Sequence, residues 1–378
     1  MPNSNDELYV NERHKFDDKE KEIAEFKDHV RRVLVAQKAL AAKHAPGNRQ
    51  RVFHTKAHAC LAGKLNLLED RPKITRHGIF GPRGKSAYNV LARFSSGVGF
   101  AQHDLIPDVR GIALKIFGVT DGSATAQVKE PRTVDFVMTN STNPFGKDQE
   151  EFVQFMDATV NFDPIRLGKF LAGHIDVARL LLKATFKIIP SLATEQYWSG
   201  HPYLLGPHQA MKFNVRPVEV SPLEIDEALR QETASLQAIA SDNLIGQINR
   251  WVAMQTIDTS KVNPNYLSIE LRNRLQRGPI KFVFSVQLEK DPQSTPIENG
   301  LVEWKESDSP SIPVAELVLD REIEPEICRD LRFTPGNCIP EHRPLGNLGR
   351  GRVFTYEASQ IGRNAAAEEP TEHALFGA

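Results

Sequence analysis

The sequence predicts an α+β fold: an antiparallel, barrel-like sheet with helical insertions and an N-terminal helical arm. Three observations point there. Short period-2 apolar stretches dominate residues 50 to about 140 and return near the C-terminus. The order runs strands, helices, strand, helices, strands, helix. No regular βαβ alternation of the kind that builds a doubly wound sheet is present.

Taken in order, residues 18–44 (DKEKEIAEFKDHVRRVLVAQKALAAKH) read as one amphipathic helix. Ile23, Phe26, Val30, Val33, Leu34 and Ala41 form its apolar stripe, and Ala-Pro-Gly at 45–47 stops it. This arm, residues 1–48, is expected to pack on the body or on a second copy, as a homodimer or homo-oligomer. The body, 49–378, begins with candidate strands at 73–80, 88–94, 111–117 and 133–138, separated by Gly, Pro, Asn and Asp. Helical patterns fill 148–195, closed by Pro190, and return at 222–253, where Pro222 occupies the first helical position ahead of an acidic turn. The two helical insertions are expected at about 148–205 and 222–275. Strand patterns at 210–215, 281–288 and 314–319 complete the sheet.

With 378 residues, 40% of them apolar, the chain can bury a large core. A net charge of −1 gives no field that would favour nucleic acid or an anionic membrane. No run of about 18 apolar residues exists to span a bilayer. The three cysteines, Cys60, Cys328 and Cys338, include no CxxC pair. So odd and sparse a count argues against a disulfide framework and for a reducing compartment. The polar N-terminus lacks an apolar signal segment, and a cytoplasmic location is expected.

Two stretches carry chemistry. Arg352-Val353-Phe354-Thr355-Tyr356 is followed by Arg363. On a helix turning about 100° per residue, Arg352, Tyr356 and Arg363 fall within roughly 40° of one another. A phenol between two guanidinium groups is favoured as phenolate, a hard anionic ligand of the kind that binds haem iron. The second stretch, Arg51-Val52-Phe53-His54-Thr55-Lys56-Ala57, sets one histidine among apolar neighbours at the entry to the first strands. Downstream lie Arg93-Phe94-Ser95, then Asp108-Val109-Arg110-Gly111-Ile112-Ala113-Leu114-Lys115, Asp135-Phe136-Val137-Met138-Thr139-Asn140 and Phe333-Thr334-Pro335-Gly336-Asn337.

In this order the segments resemble the haem catalases, whose members show R-V-x-H-A-K-G, R-F-S, D-x-R-G-x-A-x-K, an Asn-bearing D-[FL]-V, F-x-P-x-N and R-x-F-x-Y-x(6)-R. The resemblance runs from Arg51 to Arg363 and is poor between about 160 and 275. It implies a catalase-like β-barrel binding haem b. Tyr356 would be the iron ligand, held as phenolate by Arg352. His54 would be the distal base, its tautomer fixed by Ser95. Arg51, Arg93 and Arg363 would pair with the haem propionates. Phe145 and Phe152 resemble phenylalanines of the distal pocket and channel wall. The family's distal Asn falls on Thr139 without a gap and on Asn140 with a small insertion. Asn140 is taken as the catalytic residue.

Phe53 stands where catalases generally carry Val, and Ala57 replaces the motif Gly. The chain ends 15 residues after Arg363, without the long C-terminal portion of full-size catalases. This places the resemblance with the small catalase-related class, and the implied activity is haem-dependent breakdown of hydrogen peroxide or organic hydroperoxides. Two alternatives are a fatty acid hydroperoxide isomerase of the allene oxide synthase type and a non-catalytic haem-binding protein. The reducing substrate is not readable from the sequence.

Overall fold

The computed structural model describes residues 8–44, 50–82, 84–120, 132–160, 164–185, 188–221 and 258–365, then 370–377, with isolated positions between 227 and 234. Nine strands form one sheet: β1 Ala57–Leu67, β2 Ala87–Ser96, β3 Arg110–Val119, β4 Arg132–Thr139, β5 Tyr197–Trp198, β6 Tyr203–Leu204, β7 Ala210–Pro217, β8 Ile280–Leu288 and β9 Ile312–Glu322. Neighbours pair antiparallel in the order β5-β4-β3-β2-β1-β9-β8-β7-β6. The additional β5–β7 pairing closes eight of them into a barrel, leaving β6 as an appendage on β7. Closure removes the unpaired edges that an open sheet of this length would expose.

The barrel interior is apolar. Val90, Ala92 and Phe94 of β2 alternate with Ile112, Leu114 and Ile116 of β3 and Val134, Phe136 and Met138 of β4 in one core cluster. Phe213, Phe282 and Phe284 join them from β7 and β8, and Phe136 packs edge-on to Phe213 with centroids 4.8 Å apart. On β2–β4 the even-numbered side chains therefore point inward. Period 2 then sends the odd-numbered ones, among them Arg93, Ser95, Gly111 and Thr139, to the outer face.

Helices cover that outer face. These are α1 Lys19–His44, α2 Gln149–Val160, α3 Pro164–Gly173, α4 Ile175–Thr185, α5 Tyr266–Arg277, α6 Pro325–Asp330, α7 Gly346–Gly362 and α8 Glu372–Phe376. The arm helix has the bounds expected, but its buried face is partly polar. Glu22, His29 and Gln37 are buried beside Phe26 and Val33, while Ile23, Val30, Leu34 and Ala41 are half-buried. The reason is α7. Glu22 takes hydrogen bonds from Arg350 and Asn347, and Phe26 packs on Phe354 with centroids 5.3 Å apart. Burial alone would raise the Glu22 carboxyl, but Arg350 and its other donors outweigh that and hold it at about 2.

Several expectations are corrected. Residues 73–80 form two 3-10 turns, Lys73–Thr75 and Gly78–Phe80, after Pro72. Gly78 sits at φ +53, a conformation that breaks a strand. The strand that begins the barrel is instead Ala57–Leu67. It is buried on both faces and so shows no alternation. The stretch 222–253 lies almost wholly outside the described residues. Cys60 of β1 and Cys328 of α6 form a disulfide, their Cα atoms 5.7 Å apart, against the expectation from the cysteine count. A sequence separation of 268 leaves no spacing signal. Among the described residues no helix is long and apolar enough to cross a membrane.

Candidate active site

The first half of the site lies on α7. Its sequence, GNLGRGRVFTYEASQIG, is rich in glycine because the helix packs closely on its neighbours. A Cβ on Gly351 would stand 2.4 Å from Gln149 Cγ and 2.8 Å from Phe26. Arg352 and Tyr356, one turn apart, share a face, and Arg352 Nη2 donates to the Tyr356 oxygen at 2.8 Å. Arg352 Nη1 lies 2.8 Å from His201 Nδ1. A guanidinium only donates, so His201 Nδ1 is the acceptor. Burial and the Arg352 charge push the His201 imidazole well below its ordinary pKa, so it is neutral and suited to accept. Burial opposes the Arg352 charge, yet the Tyr356 and Tyr203 oxygens hold its pKa above the usual value. Arg363, the C-cap of α7, donates to the Leu331 carbonyl at 3.0 Å. Its own N–H still closes the helical bond to the Ser359 carbonyl at 3.2 Å.

The second half is built across the strands. His54 adopts φ +57, a left-handed conformation rare for a residue with a side chain, and its N–H donates to the Gly97 carbonyl at 2.8 Å. Its Nδ1 lies 3.0 Å from Ser95 Oγ. The ring covers Gly111, where a Cβ would meet His54 Cε1 at 2.6 Å and Nδ1 at 2.8 Å. Glycine is therefore required under the histidine. Ser95 pairs with Gly111 and Gly111 with Thr139, so the three form one row on the outer face. Burial and the charges of Arg93, Arg352 and Arg51 lower His54 to about 3. The imidazole is thus neutral across the physiological range.

That row bears on the choice between Thr139 and Asn140. Asn140 follows the last residue of β4, beyond the pairing with β3. Its Oδ1 accepts from Arg110 N at 2.8 Å and its Nδ2 donates to Glu195 Oε2 at 3.0 Å. Both ends of the amide are occupied, while the Thr139 hydroxyl makes only long contacts with Ser141, at 3.4 and 3.5 Å. Thr139 is the polar residue that the register sets in line with Gly111 and Ser95.

Arg51 and Arg93 converge beside His54. Arg51 donates to the Leu331 carbonyl at 2.6 Å, and Arg93 to the carbonyls of His54 and Thr55 at 2.8 and 3.3 Å. Burial lowers both guanidinium groups, Arg93 to about 10 and Arg51 well below its usual value, and the mutual repulsion of Arg51, Arg93 and Arg363 adds to it. Neither Arg51 nor Arg93 hydrogen-bonds a carboxylate among the described residues, and the buried Arg93 Nε has no partner there. Such a cluster fits a ligand carrying carboxylates. The Arg352 Nε is likewise unpartnered. His54 and Arg352 keep half-buried surface although protein surrounds them, as side chains facing an internal cleft do. The phenol held by Arg352, the neutral imidazole and the arginines with unpartnered buried nitrogens together fit a haem.

Phe53 and Phe152 meet edge-on at 6.0 Å beside His54, which brings α2 against the distal segment. Phe145 is buried against Phe155, centroids 5.0 Å apart, in a cluster with Val109 and Val177. His201 and Gly111 are the functional residues that sequence reasoning missed. Gly111 lies within the D-x-R-G-x-A-x-K motif, whose spacing alone does not reveal that the histidine ring covers it. His201 stands between Gly200 and Pro202 in a stretch without periodicity, and only its pairing with Arg352 reveals it.

No family model matches the chain. A catalase-related peroxidase of Mycolicibacterium paratuberculosis is 27% identical over 219 residues, covering 56% of this chain and 57% of that protein. Catalase A from Saccharomyces cerevisiae superposes with a TM-score of 0.62 at 17% identity, over 84% of this chain and 62% of the catalase. A bacterial catalase gives 0.62 at 17% identity, over 97% of this chain and 65% of its own length. The chain thus spans under two thirds of the length of each of these proteins. At such identities the likeness establishes architecture, and the resemblance read from the motifs extends to the whole of it: the chain has the fold of the catalases.

Proposed function

We propose that the protein is a haem-dependent enzyme that breaks down hydrogen peroxide or organic hydroperoxides. The observation that carries this reading is the neutral His54, fixed by Ser95 over Gly111, within electrostatic reach of the Arg352 that holds Tyr356. Tyr356 would bind the iron, with Arg352 donating to its oxygen and His201 holding Arg352. Arg51, Arg93 and Arg363 would take the propionates. When bound, haem supplies a redox-active iron and the electrons for O–O cleavage.

The chain's own part is a proton transfer. With Ser95 accepting from Nδ1–H, the His54 Nε2 lone pair is the base. It takes the proton from one peroxide oxygen and returns it to the other, so that water is the leaving group. Depressed basicity suits this shuttle: His54 holds the proton briefly and gives it up again. Thr139 supplies one hydroxyl on the same row to orient the peroxide, in place of an amide. Phe53 and Phe152 keep water out and narrow the approach. This crowding supports a peroxidase that oxidises an organic donor over a fast dismutase.

The test is to load the purified protein with haem and record its absorption spectrum, then follow oxygen release from hydrogen peroxide and oxidation of a phenolic donor. Stoichiometric haem uptake with donor oxidation faster than oxygen release is the expected result. Failure to take up haem overturns the reading, and conversion of a fatty acid hydroperoxide without donor consumption replaces it with an isomerase.

A further inference from the structure

A second polar site lies on the outer face of the barrel, on β7 and β8. Lys212 and Gln287 are directly paired there and share a face. The Gln287 amide donates to the carbonyls of Trp304 at 2.8 Å and Ser309 at 2.7 Å, which pins residues 304–309 over the strands. Lys212 receives nothing comparable. It is 5% exposed, and its Nζ has no hydrogen-bond partner among the described residues. The amine sits over the Trp304 ring, 5.3 Å from its centroid. Both residues border a cavity of about 110 Å³ whose other walls include Gln196, Trp198, Glu303 and Glu306. Glu303 and Glu306 are exposed, so the cavity opens to solvent, while Lys212, Gln287 and Trp304 form its buried floor.

An ammonium offers three donors, and burying them without an acceptor is costly. Burial accordingly pushes Lys212 down to about 7, with Glu303 restoring only part of the difference. Near neutrality much of the population is a free amine, and a free amine is a nucleophile. The two carboxylates at the mouth disfavour an anion in the cavity, and the amine disfavours a cation. What remains is a small neutral electrophile.

We propose that Lys212 is a covalent docking point for small aldehydes, which enter the 304–306 cavity and form an imine on Nζ. The nitrogen lone pair attacks the carbonyl carbon and the C=O π pair moves to oxygen. Transfer of the amine proton to that oxygen gives a carbinolamine. Loss of water then leaves R–N=CH–R′, with no change in oxidation state and no co-reactant. The protonated imine is a cation, which the Trp304 face and the carboxylates of Glu303 and Glu306 stabilise. The cavity is about three quarters of the ~150 Å³ that houses a benzene, so it takes an aldehyde of a few carbons more readily than an aromatic one. This site is separate from the His54–Tyr356 cleft and does not depend on haem.

The experiment is reductive trapping. The full chain is incubated at pH 7.5 with propanal and cyanoborohydride, and the propylated lysines are quantified by peptide mass spectrometry. An exposed lysine is about one part in a thousand unprotonated at that pH. Lys212 is therefore expected to be labelled about tenfold faster than the average surface lysine, its buried position offsetting part of the advantage. Measured against the surface lysines of the same sample, a bulky naphthaldehyde should label it at least tenfold less than propanal does. Lys212→Met should lose this label alone and keep its circular dichroism. Labelling no faster than the surface lysines overturns the proposal. So does equal labelling by the bulky aldehyde. Protection of Lys212 by acetate identifies an anion site instead and likewise overturns it.

Discussion

Helix α7 and the strand face opposite it build their halves of the cleft by different means. On α7 the pair that matters, Arg352 and Tyr356, is four residues apart, and one helical turn brings the two together. On the strand face His54, Ser95, Gly111 and Thr139 come from four separate segments, and only the register of β2, β3 and β4 aligns them. Local periodicity secures the first half. The second depends on the whole barrel closing with the right stagger, since a one-residue slip would send Thr139 inward and Asn140 outward. Cofactor retention should therefore depend on α7, and turnover on the strand row.

The largest expected effect is loss of the α7 contact. Tyr356→Phe removes one oxygen and leaves the ring, so the helix should stay packed through Val353, Thr355 and Ala358, which are buried. Haem affinity should fall by more than the 10–100-fold that a change beside a metal ligand typically costs. Haem titration followed by absorption checks it. Undiminished affinity with an unchanged spectrum would remove Tyr356 from the ligand role.

On the strand side, His54→Ala should leave haem loading intact and slow peroxide consumption by about 10²–10⁴-fold, the usual worth of a positioned acid–base. Gly111→Ala should do nearly as much without touching the histidine, because the added methyl occupies the place of the ring. If Gly111→Ala is harmless, the ring does not work from where it lies. With His54 held at about 3, the initial rate should be flat between about pH 5 and 8, where an ordinary histidine would titrate. The sign for stability is separate. Below about 6.5 the unfolded chain binds a proton on His54 that the folded chain refuses until about 3, so stability falls as pH drops through that window.

How much of this was legible follows the same division. The arm helix, the strands from 87 to 139 and the Arg352–Tyr356 pair were readable, because each shows its period within a short window. The entry strand Ala57–Leu67 was not, since burial on both faces erases alternation. The choice between Thr139 and Asn140 was not, since neighbouring residues on a strand differ only in face, and a motif count tolerates a slip of one. Arg363 lies at the C-cap of α7, where helical spacing fixes a side chain less tightly than it does within the helix. His201 and the Cys60–Cys328 disulfide are long-range pairings with no spacing to detect.

Thr139 and Asn140 give a sharper comparison with a smaller effect. Asn140→Ala strands the buried Arg110 N–H, at a cost of about 1–3 kcal/mol of stability for an unsatisfied group. Its peroxide turnover per bound haem should be near the wild-type value. Thr139→Val keeps the shape but removes the hydroxyl that accepts from Ser141 N at 3.4 Å, so only a small stability cost is expected while turnover falls several-fold. The reverse pattern would restore Asn140 to the site and place the row of Ser95, Gly111 and Thr139 outside the chemistry.

The smallest effect expected is at Phe53, which asks whether the strand side also selects by size. The ring packs edge-on to Phe152 at 6.0 Å and belongs to the cluster that α1 and α2 share with Val52. Phe53→Val opens space beside His54 without altering the base, its Ser95 partner or the α7 contacts. Phe53 is only half-buried, so the stability cost should stay below the ~3–5 kcal/mol of a fully buried Phe→Ala. One methylene of pocket space is worth about 1–3 kcal/mol of discrimination, and the exposed share of the ring places Phe53 at the low end. Oxygen release from hydrogen peroxide should therefore rise about tenfold or less, because the second peroxide reaches the site more easily. Oxidation of a phenolic donor that reacts at the edge of the cleft should change little. The two rates measured on the same haem-loaded sample decide the matter. A rise in oxygen release alone means that Phe53 holds the enzyme away from dismutation, whereas equal changes in both rates would mean that the substitution acts through packing and that the crowding at Phe53 selects nothing.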